Sequence, residues 1–183
     1  TFGLIGPGKG LEAMIAAMPE VLARHPDTVY RIVGATHPKL VVSDGEAYRD
    51  GLVELAKNLG VTHAILWDNR FLETEELLDQ LEACDIYVTP YPNIQQSTSG
   101  TLSYAVALGK AIVSTPYIHA RELLANDVGR LVAPGSSEAL ASAVISLLDD
   151  RDEMIALQLR AYNKGRQTIW PRFAQAAAAL VER

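Results

Sequence analysis

Two short runs of this chain carry residue types suited to holding an anion: Gly6-Pro7-Gly8-Lys9-Gly10 and Gln95-Gln96-Ser97-Thr98-Ser99-Gly100-Thr101-Leu102. Each lies between a strand-like apolar stretch and a helix-like one. A turn in that position leaves backbone N–H groups unpaired beside the positive end of a helix dipole, which makes an anion site by construction. Lys9 adds a cation to the first turn, where the dipole opposes it and an anionic ligand would reverse that sign. Gly6 and Gly8 permit close backbone approach. In the second run, the groups at Ser99, Gly100, Thr101 and Leu102 could jointly hold a diphosphate or a sugar hydroxyl. Serine or threonine there also serves as an ordinary helix cap. Gln95, Gln96, Ser97 and Thr98 are neutral donors and acceptors, better suited to sugar hydroxyls than to proton transfer. Together the two turns point to a nucleotide or a nucleotide sugar.

The first turn has the glycine spacing of neither a Walker loop nor the dinucleotide fingerprint. Arg70, in Asn69-Arg70-Phe71, follows a strand-like run and could supply a second cation, or pair on the surface with Glu73 or Glu75. His37 and His119 also fall after strand-like runs. Two histidines so far apart in sequence do not make a metal site, and either could hydrogen-bond a ligand or brace its own loop.

Positioning these residues requires strands that end where the turns begin. Strand-like stretches occur at Thr1–Ile5, Val29–Gly34, Ala64–Trp67, Asp85–Thr89, Ala111–Ser114 and Gly129–Val132. Between them run helical stripes: Leu11, Met14, Ile15, Met18, Val21 and Leu22; then Leu52, Leu55, Ala56 and Leu59; then Leu77, Leu78 and Leu81. Such alternation predicts an α/β fold, a parallel sheet with helices on both faces and right-handed crossovers. Ligands then bind beyond the carboxyl ends of the strands, where both glycine-bearing turns belong. Ser43-Asp44-Gly45-Glu46 reads as the start of a helix. Pro134-Gly135-Ser136-Ser137 reads as a turn with a serine cap ahead of Glu138, followed by a helix through Leu148 and two or three more.

At 183 residues the chain suits one domain, residues 1–183, with no need of a disulfide or metal staple. Its hydrophobic fraction of 49% and charged fraction of 21% are those of an ordinary globular protein, which excludes disorder. A formal charge of −6 argues against a broad nucleic-acid-binding face while permitting a local basic pocket. Cys84 is the sole cysteine, which fits core packing and a reducing, cytoplasmic setting. No apolar run approaches the ~20 residues of a membrane span. The chain opens abruptly on a strand, as an excised portion of something larger would.

Several segments in order carry a resemblance: Gly8-Lys9-Gly10-Leu11-Glu12, Val33-Gly34, Ala83–Val88, Ala105–Val113 with Gly109, and Gly129-Arg-Leu-Val-Ala-Pro134-Gly135. Taken together they resemble the C-terminal half of family 4 glycosyltransferases of the GT-B fold. The resemblance implies a Rossmann-like half that binds the nucleotide-sugar donor, with a separate N-terminal half for the acceptor that is absent here. It implies Lys9 and Gln96 as catalytic positions, and Gly6, Gly8, Arg70, Ser99, Gly100, Thr101, Leu102 and Tyr104 as donor contacts. Three positions depart from the family pattern. An arginine usual five residues before the loop lysine is Leu4, which halves the charge clamp. The paired glutamates of the pattern E-x7-E fall on Gln96 and Tyr104, neither of which can act as a carboxylate. Gln96 could still bond a sugar, and Tyr104 could stack on or bond to a ribose. Glu122 matches a family glutamate, with loop bracing as its other reading. The run Ser99–Ala105 ahead of Ser114–Tyr117 resembles one branch of the family.

The resemblance implies a retaining transfer of a sugar from a nucleotide diphosphate sugar, with no metal or separate cofactor. The partners expected are the donor, the chain's own acceptor half, and a second copy through the C-terminal helix if Ile169, Trp170 and Phe173 lie uncovered. The full-length protein is then cytoplasmic, or peripheral to a membrane. The competing readings are a catalytically degenerate GT-B domain kept for nucleotide or partner binding, and an epimerase or phosphorylase on a related fold.

Overall fold

The computed structural model of the chain describes residues 1–168 and 170–181. Its strands are β1 (Tyr30–Val33), β2 (Ile65–Asp68), β3 (Ile86–Thr89), β4 (Ala111–Ser114) and β5 (Arg130–Leu131), and every pairing is parallel. β1 pairs with β2 in the register Tyr30↔Ile65 to Val33↔Asp68. β3 pairs with β4 from Ile86↔Ala111 to Thr89↔Ser114, and β5 joins β4 at Val113↔Arg130.

The first segment, expected as an unbroken strand over Thr1–Ile5, is interrupted. It pairs with the β1 side at only two isolated points, Phe2↔Val33 and Ile5↔Thr36. The reason is a backbone crossing: Gly3 has φ +116°, and a β-carbon on Gly34 would lie 2.1 Å from the Gly3 carbonyl oxygen. Only glycine allows that approach. On its other side the segment reaches β3, where the Thr1 hydroxyl donates to the Val88 carbonyl at 2.6 Å. The expected single sheet is thus two ladders, β1-β2 and β3-β4-β5, with Thr1–Ile5 laid between them.

Alternation along the strands distributes the core to both faces. Val88, Ala111 and Val113 pack on one side with Leu11, Ile15, Met18 and Val21 of α1 (Leu11–Arg24), Leu52 and Ala56 of α3 (Ala47–Asn58), and Leu140 and Val144 of α7 (Ser137–Asp149). Tyr87 and Ile112 face the other side, against Leu81 of α4 (Thr74–Glu82), Leu102, Ala105 and Val106 of α5 (Gly100–Ala107), Ala120 of α6 (Ile118–Leu123) and Ala161 of α8 (Arg151–Arg166).

Helix starts follow local chemistry. Ser136 caps α7 by accepting the Ala139 N–H at 3.1 Å, and Asp150 caps α8 by accepting that of Glu153 at 2.9 Å. One expectation needs correcting: Ser43 and Asp44 end a helix rather than begin one. That helix, α2 (Pro38–Asp44), starts on proline, whose fixed φ suits a first turn, and the His37 ring accepts the Lys39 N–H. Gly45 closes α2, and Glu46 opens α3 with no side-chain cap bond. The last helix, α9, spans Trp170–Val181. The expected association surface at Ile169, Trp170 and Phe173 falls on a residue and on side chains outside the description.

Candidate functional site

The first turn is a short 3-10 turn, Pro7–Lys9, between two glycines. Gly10 ends it at φ 62°, and a β-carbon there would lie 2.1 Å from the Pro90 carbonyl oxygen. Glycine therefore lets α1 begin in contact with the chain leaving β3, which brings the two turns together. Lys9, half-buried, extends its ammonium to within 2.8 Å of the Tyr91 hydroxyl and donates to it.

The second turn opens α5 as expected from its serine. Ser99 caps the helix by accepting the Leu102 N–H at 3.2 Å, while the Ser99 N–H donates to Nδ1 of His119 at 2.8 Å. Two of the donors expected to face a ligand are thus committed within the protein. The N–H groups of Gly100 and Thr101 have no acceptor among the described residues. Leu102 is wholly buried, so its side chain belongs to the core. The Thr101 hydroxyl lies 2.8 Å from that of Tyr91 and 3.1 Å from that of Ser99. Gln96 is partly exposed, and its amide donates to the Thr98 carbonyl at 2.9 Å. Tyr104 stands one helical turn after Thr101, 41% exposed, with its ring edge-on to Phe2.

A pocket of about 460 Å³ opens over the first turn, bounded by Leu4, Gly6, Pro7, Gly8 and Lys9 on one side and by Tyr91 and Gln96 on the other. His37, Lys39 and Leu40 form its third wall. Lys9, Gln96, Gly6 and Gly8 are therefore brought together, and Thr101 is joined to them through Tyr91. Sequence reasoning missed Tyr91 and Lys39. The signal for Tyr91 was its place directly after Pro90 at a strand's carboxyl end, and for Lys39 its place in the first turn of α2, the helix that follows β1. A larger cavity, about 820 Å³, lies at the opposite ends of the strands beside Thr28–Arg31 and Asp85–Val88. It touches neither turn, so the smaller pocket is the candidate site.

Arg70, expected as a second cation for the phosphates, is committed elsewhere. Its guanidinium grips Asp68 with two bonds, at 2.9 and 2.8 Å, and Glu76 with a third at 2.6 Å. The fork of donors matches a carboxylate pairwise, which neither Glu73 nor Glu75 is placed to exploit. Those bonds hold the Asp68 carboxyl below its usual range and raise the guanidinium's already high pKa. Arg70 therefore stands outside the group around Lys9. Glu122 is exposed on α6. Among the described residues no cluster of three or more His, Cys, Asp or Glu could hold a metal ion. Burial raises the pKa of the Cys84 thiol.

Comparison with known proteins gives this geometry a context. The family model for glycosyl transferases group 1 matches residues 2–168. Phosphatidyl-myo-inositol mannosyltransferase of Mycolicibacterium smegmatis is 28% identical over 168 residues, covering 90% of this chain and 39% of that protein. The GDP-mannose:glycolipid 4-beta-D-mannosyltransferase of Xanthomonas campestris is 28% identical over 95% of this chain and 45% of its own length. The chain thus spans about two fifths of the curated relatives it matches. Among solved structures, the C-terminal domain of the glycosyl transferase group 1 protein LpcC from Francisella tularensis superposes with a TM-score of 0.78 at 21% identity, over 91% of this chain and 84% of that one. Anabaena HepE in complex with UDP gives a TM-score of 0.83 at 20% identity, over all of this chain and 48% of that one. These neighbours share the fold, one half of the GT-B architecture. With the family model matching all but the ends of the chain, and the same half-fold seen in its neighbours, this protein belongs to the glycosyl transferases group 1 family.

Proposed function

We propose that the chain is the donor-binding half of a retaining, family 4 glycosyltransferase that moves a sugar from a nucleotide diphosphate sugar to an acceptor. The observation that carries this reading is that the Lys9 ammonium, on the pocket wall, and the Thr101 hydroxyl, at the start of α5, meet at the Tyr91 hydroxyl through contacts of 2.8 Å each. Lys9 and the Gly100 and Thr101 N–H groups stabilise negative charge on the leaving diphosphate. Because Leu4 replaces the second clamp cation, Lys39 on the pocket wall supplies the remaining positive charge. Gln96 hydrogen-bonds the donor sugar, and Tyr104 borders the ribose. Ser99 holds the start of α5 in place, and Gly6 and Gly8 let the phosphates approach the backbone. The nucleotide sugar is the substrate, and no separate cofactor belongs to this reading. HepE, a neighbour in fold, has been crystallised with UDP-glucose, which supports a nucleotide-sugar ligand for a protein of this fold.

The relatives' greater length supports an acceptor site carried by another part of the protein, so the chain binds nucleotide without completing transfer alone. Two relatives are named for lipid-linked acceptors, which favours a full-length protein peripheral to a membrane on the cytoplasmic side. Among the described residues no helix is long and apolar enough to cross one. Calorimetric titration with UDP, GDP and ADP tests the proposal: one of them binds, and silence from all three at millimolar concentration overturns it.

A second reading, a degenerate domain kept for nucleotide or partner binding, is favoured by Leu4, Gln96 and Tyr104, each of which lacks a charge of the family pattern. Transfer by the full-length protein decides between them. Measurable transfer that Lys9→Ala abolishes supports the enzyme, and none in the unaltered protein supports the binding module.

A further inference from the structure

We propose that Tyr91 is a positioning residue for Lys9: its phenol holds the ammonium at the pocket and couples it to Thr101, so that two separate turns act as one diphosphate site. The proposal rests on the donor-site reading above and goes beyond it, because no family motif quoted above assigns a role to this tyrosine.

Tyr91 is only 1% exposed, and its place is overdetermined. Its ring stacks on that of Tyr117 at 5.2 Å and 19°, and its carbonyl accepts the Thr115 hydroxyl at 2.6 Å. A buried phenol in a fixed ring can aim its oxygen in only one direction, here toward Lys9 and Thr101. An ammonium has donors and no acceptor, so the phenol must accept from Lys9. Its own proton is then available to the Thr101 oxygen, 2.8 Å away, which in turn lies 3.1 Å from the Ser99 hydroxyl.

Three consequences follow from the partner being a neutral hydroxyl. Among the described residues no carboxylate pairs with Lys9, so its field is not cancelled by an opposite charge. Among the described residues only one of its three N–H donors is used, so two remain for phosphate oxygens. A long side chain that is already ordered also loses less conformational entropy when the ligand arrives. With Leu4 at the usual arginine position, this ordering gives a lone cation the fixed geometry that a second charge would otherwise impose.

The test is calorimetry on the chain with UDP, GDP and ADP and with the matching monophosphates. Tyr91→Phe keeps the stacked ring and removes only the oxygen. It weakens the diphosphate that binds by about tenfold and leaves the monophosphate within about twofold, as expected for loss of an ordered charge-assisted contact. Lys9→Ala costs less affinity when combined with Tyr91→Phe than alone, because both act on one ammonium. Thr101→Val cuts the same chain at a partly exposed position and weakens the diphosphate selectively, so a misfolded Tyr91→Phe leaves the proposal testable. Unchanged diphosphate affinity in Tyr91→Phe, with Lys9→Ala impaired, overturns the role of Tyr91 and spares the donor site. Equal weakening of monophosphate and diphosphate also overturns it. A chain that binds no nucleotide at all overturns the donor site and this inference together.

Discussion

Lys9 and Arg70 both follow strand-like runs in the sequence, which offers Lys9 as the phosphate cation and Arg70 as a possible second one or as half of a surface ion pair. The structure gives them opposite surroundings. Arg70 is gripped by two carboxylates, Asp68 and Glu76, while Lys9 is held by a hydroxyl. A cation closed on itself by carboxylates presents little field to a ligand, and an exposed pair of that kind contributes little to stability. A cation held by neutral groups is ordered and still charged. The difference shows that a candidate anion-binding residue is recognised by its partners as much as by its position.

The strongest way to break the comparison is to separate the two turns. Gly10→Ala must place a β-carbon against the Pro90 carbonyl at a positive φ, so it should destabilise the chain by roughly 2–4 kcal/mol and abolish nucleotide binding. Denaturant unfolding with calorimetry at a temperature where the variant stays folded checks both effects. Next in size, Lys9→Ala should weaken the bound nucleotide diphosphate by about 10- to 100-fold, with a far smaller effect on the monophosphate. Equal losses for both ligands would place Lys9 away from the diphosphate.

Smaller effects sharpen the contrast from the Arg70 side. Arg70→Ala should leave nucleotide affinity within about twofold, since its charge is spent on carboxylates. A large loss would show that Arg70 swings to the ligand after all. The pH dependence has a definite sign. Asp68 is held below its ordinary pKa by Arg70, so its contribution is present above about pH 4 and is lost as pH falls through the lower folded value. Acid unfolding of Arg70→Ala should therefore lack that component. An acid profile identical to that of the unaltered chain would show that the pair does not contribute.

Much of the architecture was legible because it follows from local rules. β4 appears with the bounds Ala111–Ser114 that its apolar run suggests, and Ser99 and Ser136 cap the helices their positions predict. The misreadings have physical causes. Thr1–Ile5 has strand composition, but the Gly3–Gly34 crossing depends on two backbones meeting in space, which no window of sequence records. Ser43–Glu46 resembles a cap, yet Pro38 and the His37 ring start a helix earlier, and Ser43 falls at its end. At the site, Tyr91 passed unnoticed because buried tyrosines usually only pack, and its oxygen gains a use through residues 82 positions before it and 10 after.

Sequence by itself determined the alternation of strands and helices, the polar glycine-bearing turns at their junctions and the departures at Leu4, Gln96 and Tyr104. These depend on residue type and on spacing along one chain. Only the folded structure decided which cation remains available: Arg70 turns back on Asp68 and Glu76, two and six residues away, while Lys9 reaches Tyr91, 82 residues away in sequence. Electrostatic interaction falls with distance through space, and distance through space exists only once the chain has folded.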